Sequence, residues 1–142
     1  MARSVPTIVR ALMLACIVGF LAACSAAAKA SHDPAPPATA SPEGVARAYL
    51  SAANTGNCAL TAELTMANTW SWCDDPKLLH YRSVGSAQAV PASEAGRNEE
   101  CVPFEMYTNG SSDGSMPTGW QPWSLCFVKT PAGWRLYDQG QG

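Results

Sequence analysis

Two segments of the chain share one alternation, and each carries a cysteine on the same phase of it. From Cys101 to Thr108, the side chains of Val102, Phe104 and Met106 fall on one side, and those of Cys101, Pro103, Glu105 and Tyr107 on the other. From Pro122 to Lys129, Trp123, Leu125 and Phe127 fall on one side, and Ser124, Cys126 and Val128 on the other. A period of two is the signature of a half-buried strand. If the two strands run antiparallel with Cys101 opposite Cys126, Phe104 faces Trp123 and every large apolar side chain lands on one face. A slip of one residue destroys this agreement. The pattern therefore predicts an antiparallel sheet stapled by a Cys101–Cys126 disulfide, with Pro103 suggesting an edge strand.

The turn Thr130-Pro131-Ala132-Gly133 leads to a last strand over Trp134–Asp138. With Lys129 opposite Trp134, Phe127 faces Leu136 and Tyr137 faces Cys126. Upstream, Leu79–Val90 reads as a weakly alternating strand, Pro91–Glu100 as a polar connector, and Asn109–Gly119 as a Gly-rich loop. Before these lie two helices. Ser41 caps the first, Pro42 suits its first position and Glu43 its positive end. Val45, Ala48, Tyr49 and Ala52 form its stripe, and Gly56 stops it. Asn57 caps a second helix carrying Leu60, Leu64 and Ala67, with Trp70 and Trp72 flanking its end and Asp74-Asp75-Pro76 turning the chain. The fold class is α+β: two N-terminal helices packed on a curved antiparallel sheet.

The first 23 residues have another character. Arg3 and Arg10 precede an uncharged, nearly all-apolar run from Ala11 to Ala23, the form of a secretory signal and too short for a membrane span of about 20 residues. Leu21-Ala22-Ala23-Cys24 follows and resembles the bacterial lipobox. That resemblance implies cleavage before Cys24 and a diacylglycerol on its sulfur, a stable anchor once two or more acyl chains are present. Residues 24–41 then read as a lipidated cysteine and a flexible Ala/Pro/Ser tether, and residues 42–142 as one domain, of ordinary size.

Cys16 leaves with the signal and Cys24 takes lipid, so Cys58, Cys73, Cys101 and Cys126 remain. An even number in an exported chain reads as disulfides, with three possible connectivities. The pattern above favours Cys101–Cys126 and the short loop favours Cys58–Cys73, worth about 3 kcal/mol by chain entropy. Zinc sites use tighter pairs, and no metal site is expected. Removing Arg3 and Arg10 from the nine basic residues leaves seven against eleven acidic ones. Without a basic patch, nucleic acid is not an expected partner.

The opening Ala46-Arg47-Ala48-Tyr49-Leu50-Ser51-Ala52-Ala53-Asn54-Thr55-Gly56-Asn57-Cys58 and the closing Gly133-Trp134-Arg135-Leu136-Tyr137-Asp138 resemble the first helix and final strand of the NTF2-like (cystatin-like) superfamily. The chain is also similar to small actinobacterial lipoproteins of unassigned function over most of residues 42–142. The resemblance implies a cone-shaped α+β fold. It does not settle function, because the superfamily hosts enzymes, binding modules and assembly factors.

An isomerase or cyclase of this superfamily would need a pocket base and a hydrogen-bond donor, for which Asp74, Asp75, His80, Tyr81 and Asp138 are the candidates. No G-x-S-x-G, P-loop or H-E-x-x-H motif occurs, and no cofactor is implied. Aromatic residues speak for binding instead. The sheet as paired would group Glu105, Tyr107, Arg135 and Tyr137 around the disulfide, with Trp120 at the loop border. The sequence thus points to a membrane-tethered, extracytoplasmic, non-catalytic binding module of the cell envelope, anchored by lipid. Its partner would be an envelope protein or a small apolar ligand. A small-molecule enzyme and a structural envelope component are the alternatives.

Overall fold

The structure, a computed structural model, describes residues 33–66 and 69–141. The signal segment, the lipidation candidate Cys24 and the expected helical residue Ala67 lie outside the described residues. Among the described residues no helix is long and apolar enough to cross a membrane.

Helix α1 spans Pro42–Thr55. Its N-cap Ser41 accepts from the Gly44 N–H at 3.2 Å, Pro42 occupies the first turn, and Gly56 ends it with φ 75°. Val45, Ala46, Tyr49, Leu50, Ala52 and Ala53 are its buried stripe. Asn57 caps α2, Cys58–Glu63, by accepting from the Leu60 N–H at 3.3 Å. This helix is shorter than the sequence pattern suggests because the backbone finds other partners. The Met66 N–H donates to the Leu136 carbonyl at 2.9 Å, and the Leu136 N–H to the Leu64 carbonyl at 2.8 Å. Backbone groups must be paired somewhere, and at residue 64 the pairing moves from helix to sheet.

Five antiparallel strands form the sheet: β1 (Leu78–Arg82), β2 (Gln88–Val90), β3 (Glu99–Asn109), β4 (Thr118–Thr130) and β5 (Gly133–Gly140). A short helix, α3 (Ala92–Ala95), lies in the connector before β3. The order is β1-β3-β4-β5, with β2 also on β3. Where one strand was expected over Leu79–Val90, two form, and they share one flank of β3. Pro103 explains the break. β1 pairs with Glu105–Thr108 and β2 with Glu99–Cys101, leaving Pro103, which has no N–H to give, at the gap. There its carbonyl accepts from Gly85 at 2.8 Å. Pro103 is therefore in an interior strand, not at an edge.

The central register is the one the alternation predicts: Cys101 pairs with Cys126, Phe104 with Trp123. Both disulfides, Cys58–Cys73 and Cys101–Cys126, are present. One register differs. A bulge between Cys126 and Phe127 keeps Phe127 opposite Leu136 but places Asp138, not Tyr137, opposite Cys126. Val102, Phe104, Met106, Trp123, Leu125, Phe127 and Leu136 share one buried cluster with the α1 stripe, Leu60, Leu64 and Trp72. The end of the segment read as tether also rests on the domain: Ala35 and Ala40 pack against this core. Gly133, at φ 103°, comes so close to Ala38 that a Cβ there would lie 3.0 Å from its Cα.

Candidate functional site

Because β3 alternates, its odd-numbered side chains leave the core, and the neighbouring strands complete two cross-strand rows with them. In the first row His80, Tyr107 and Trp120 are register partners; in the second, Arg82, Glu105 and Pro122. Directly opposed and diagonal side chains on one face reach each other. The His80 and Tyr107 rings lie 6.0 Å apart, and the Tyr107 and Trp120 rings 5.6 Å apart and nearly edge to face. Arg82 joins the rows. Its Nε donates to Glu105 Oε2 at 2.7 Å, and its guanidinium sits 4.1 Å from the centre of the Trp120 ring. Ser83 Oγ adds a second donor to the same carboxylate oxygen at 3.2 Å. The Arg82 hydrogen bond, ahead of its charge and of Ser83, holds the Glu105 carboxyl below the usual carboxylate range. The ion pair is solvent-exposed, so its contribution is geometric more than energetic: it fixes a cation over an indole. Trp120 remains 44 % exposed.

This arrangement keeps part of the expected binding set and separates the rest. Glu105, Tyr107 and Trp120 come together. Arg135 does not join them: it pairs in register with Val128, six residues along β4 from the Glu105 partner Pro122, or about 20 Å at strand rise. Its Nη1 donates to the Trp134 carbonyl. Tyr137 sits at the bulge under the Arg97 guanidinium, 3.7 Å from its ring centre. The partner of Glu105 is thus Arg82. Trp120 stands inside β4, since that strand starts at Thr118. Arg82 shares its phase with His80 and could have been found by aligning their strand on β3, had its end at Arg82 been foreseeable.

Trp72 and Trp123 point inward, and Trp70, 37 % exposed, stands beside them. Trp72 and Trp123 meet edge to face at 5.4 Å, and Trp70 lies 5.2 Å from Trp72 and 5.8 Å from Trp123. Gln139 ties them together. Its Oε1 accepts from both the Trp72 and Trp123 indole N–H groups. Its Nε2 donates to Thr69 Oγ1 at 2.7 Å and to the Trp70 carbonyl at 2.8 Å. Tyr49 Oη donates to that same carbonyl at 2.9 Å, and burial pushes the Tyr49 hydroxyl above its usual range.

Of the acid–base candidates, Asp74, Asp75, His80 and Asp138 are exposed and Tyr81 is half-buried. Asp75 accepts from the Ser112 N–H and hydroxyl, anchoring the loop between β3 and β4. In that loop Asp113 Oδ1 accepts from Ser111 Oγ, Ser115 Oγ and the Ser115 N–H. The Ser111 hydroxyl first, then the two Ser115 donors, hold the Asp113 carboxyl at about 2. Among the described residues, the buried polar ones are Thr61, Glu99, Thr108 and Gln121. The Glu99 carboxylate lies within 4.8 Å of both sulfurs of Cys101 and Cys126, which are joined to each other.

No family model, curated protein or solved structure matches the chain.

Proposed function

We propose that this chain is an exported, lipid-anchored binding module of the cell envelope, with an NTF2-like domain that presents the outer face of its sheet to a protein partner. The observation that carries the reading is the exposed row pair His80–Tyr107–Trp120 and Arg82–Glu105–Pro122. Trp, Tyr and Arg dominate the energetics of protein interfaces. Here the three types adjoin on rigid strands, with the arginine already oriented by Glu105, so little side-chain freedom remains to be lost on binding. The face is mixed in chemistry, an imidazole, a phenol, an indole and an ion pair side by side, which suits a macromolecule better than a small apolar ligand. Two helices ahead of an antiparallel sheet agree with the superfamily reading, and Arg3, Arg10, the apolar run and Leu21–Cys24 with export and acylation.

The test has two parts. Intact mass of the native protein should show loss of residues 1–23 and acyl mass on Cys24. A crosslinker placed at His80 should then capture a defined envelope protein, and Trp120→Ala should abolish that capture while leaving the melting curve in place. Undiminished capture by Trp120→Ala would remove the face from consideration, and a native polypeptide that keeps residues 1–23 would remove the anchor.

A further inference from the structure

The Cys101–Cys126 disulfide lies on the outer face of the sheet, and its surroundings are acidic. The two cysteines are register partners on β3 and β4. Both are half-buried and border a cavity of about 330 Å³, to which Gln88, Ser124 and Asp138 also contribute. Cavities that admit small molecules begin near about 300 Å³. Glu99 holds a carboxylate oxygen within 4.8 Å of both sulfurs. Asp138 stands opposite Cys126 at the β4–β5 bulge. Burial, then the Asp138 charge, raises the Glu99 carboxyl above its usual range, against a smaller pull from Arg97. That guanidinium is stacked on Tyr137, 3.7 Å from its ring centre.

The other disulfide is built differently. Cys73 is 6 % exposed, and Thr61 Oγ1 lies 3.5 Å from its sulfur. Among the described residues no carboxylate comes within 4.8 Å of both sulfurs of Cys58–Cys73.

Disulfides exchange when a thiolate attacks one sulfur and the other departs as a thiolate. At Cys101–Cys126 the carboxylates oppose both anions. The attacking thiolate must approach two acids, and whichever sulfur leaves, its charge forms within 4.8 Å of Glu99. A thiol that carries its own positive charge offsets this repulsion, whereas a negative one adds to it.

We propose that the Cys101–Cys126 disulfide is a charge-selective thiol-exchange site. It takes up small cationic thiols as mixed disulfides and turns away anionic ones, with Glu99 and Asp138 setting the choice. In the exchange the incoming thiolate bonds to one sulfur and the Cys101–Cys126 bond breaks. Its electron pair leaves on the other sulfur, which takes a proton from water. Only the thiol is consumed.

The probes are 2-aminoethanethiol, 2-mercaptoethanol and 2-mercaptoethanesulfonate: cationic, neutral and anionic. Each is added to the full chain in detergent at about pH 8, near the usual thiol range. Acid-quenched samples mapped by peptide mass spectrometry report opening at each cysteine. Rates are divided by those of the same thiol on a small neutral disulfide. At Cys101–Cys126 the cationic probe should then exceed the anionic one by at least about fivefold, the weight of one unit charge at close range in water. The preference should collapse between about 0.01 M and 1 M salt, as screening shortens its reach. Glu99→Gln and Asp138→Asn should each speed the anionic probe, and together bring the ratio close to one. Cys58–Cys73 should show no charge preference.

A ratio of one in the unaltered protein, or no opening at Cys101 and Cys126, would overturn the proposal. So would an equal preference at Cys58–Cys73, which would trace it to the net charge of the chain. Slower exchange of all three probes in Glu99→Gln would also do so, by making Glu99 a proton donor to the leaving sulfur. Should Glu99→Gln unfold, the salt dependence of the unaltered protein and the exposed Asp138→Asn decide. The outer-face partner is measured separately by capture at His80, so failure of one leaves the other standing.

Discussion

The molecule carries two aromatic clusters built on the same sheet, and they are constructed in opposite ways. Inside, Trp72 and Trp123 are 1 % and 6 % exposed, and one amide, Gln139, serves both indole N–H groups. Outside, Trp120 is held by a guanidinium above its ring and by the edge of Tyr107, with nearly half its surface open. Buried indoles need a hydrogen-bond acceptor because water is not there to supply one. An exposed indole has no such need, and its neighbours on the sheet only restrict how it can turn. The inner cluster is thus committed to stability, whereas the outer one keeps unspent contact area.

The largest effect that could break this contrast is on the inner side. Trp72→Ala should cost about 3–5 kcal/mol, the range for removing a buried large aromatic, read as a fall in the urea midpoint with an unchanged slope. The residue also sits at φ 57°, a conformation that bulky side chains adopt only where their surroundings enforce it. A loss within about 0.5 kcal/mol, typical of surface positions, would show that the inner cluster is not structural.

Gln139 comes next. Gln139→Leu keeps much of the volume but leaves two indole donors and the Nε2 contacts of Thr69 and Trp70 without their partner, at roughly 1–3 kcal/mol for a buried group left unsatisfied. Gln139→Glu can still accept from both indoles but cannot donate to the Trp70 carbonyl, so its melting temperature should fall between those of Gln139→Leu and the unaltered protein. If both variants melt where the unaltered protein does, the amide is a bystander.

What the sequence discloses follows the same division. The pairing of Cys101 with Cys126 and Phe104 with Trp123 is legible because two strands repeat large apolar side chains at period two, and only one register satisfies both. The role of Gln139 is not legible. An unbroken β4–β5 ladder would set Leu125 opposite Asp138. The bulge beside Phe127 instead sets Leu125 opposite Gln139, turning the amide toward the tryptophans and Asp138 toward the disulfide. One inserted residue reverses the faces of everything beyond it, and nothing in Arg135-Leu136-Tyr137 announces where it falls. That bulge also breaks up the expected grouping of Tyr137 with Glu105 and Tyr107. Arg82 was hidden for a different reason: the division of one predicted strand into β1 and β2 depends on Pro103, nearly twenty residues downstream.

On the outer face the stability effect should nearly vanish. Trp120→Ala is expected to shift unfolding by no more than about 0.5 kcal/mol while removing capture of the partner, the reverse of Trp72→Ala in a fold that survives. A Trp120→Ala variant as destabilised as Trp72→Ala would erase the distinction between the clusters, because it would make the exposed indole part of the core.

The smallest effect concerns acid. Arg82 lowers the Glu105 carboxyl below the 4.5 of an unperturbed glutamate, so the folded state holds the ionised form more tightly than the unfolded chain does. Whatever the Arg82–Glu105 contact contributes is therefore fully present above pH 4.5 and is lost as pH falls through the lowered folded value. Below that point Arg82 is released from Glu105 and its stacking on Trp120 should loosen, whereas the inner indoles, bonded to a non-titrating amide, should not respond. Following the Trp120, Trp72 and Trp123 indole N–H resonances from pH 6 downward separates the two clusters within one titration. The Trp120 signal should move with a midpoint below 4.5 and lose that movement in Glu105→Gln, with the other two flat until global unfolding. A midpoint at or above 4.5 would mean that Glu105 gains nothing from Arg82 in the folded state, and that Trp120 is held by packing on Tyr107 alone.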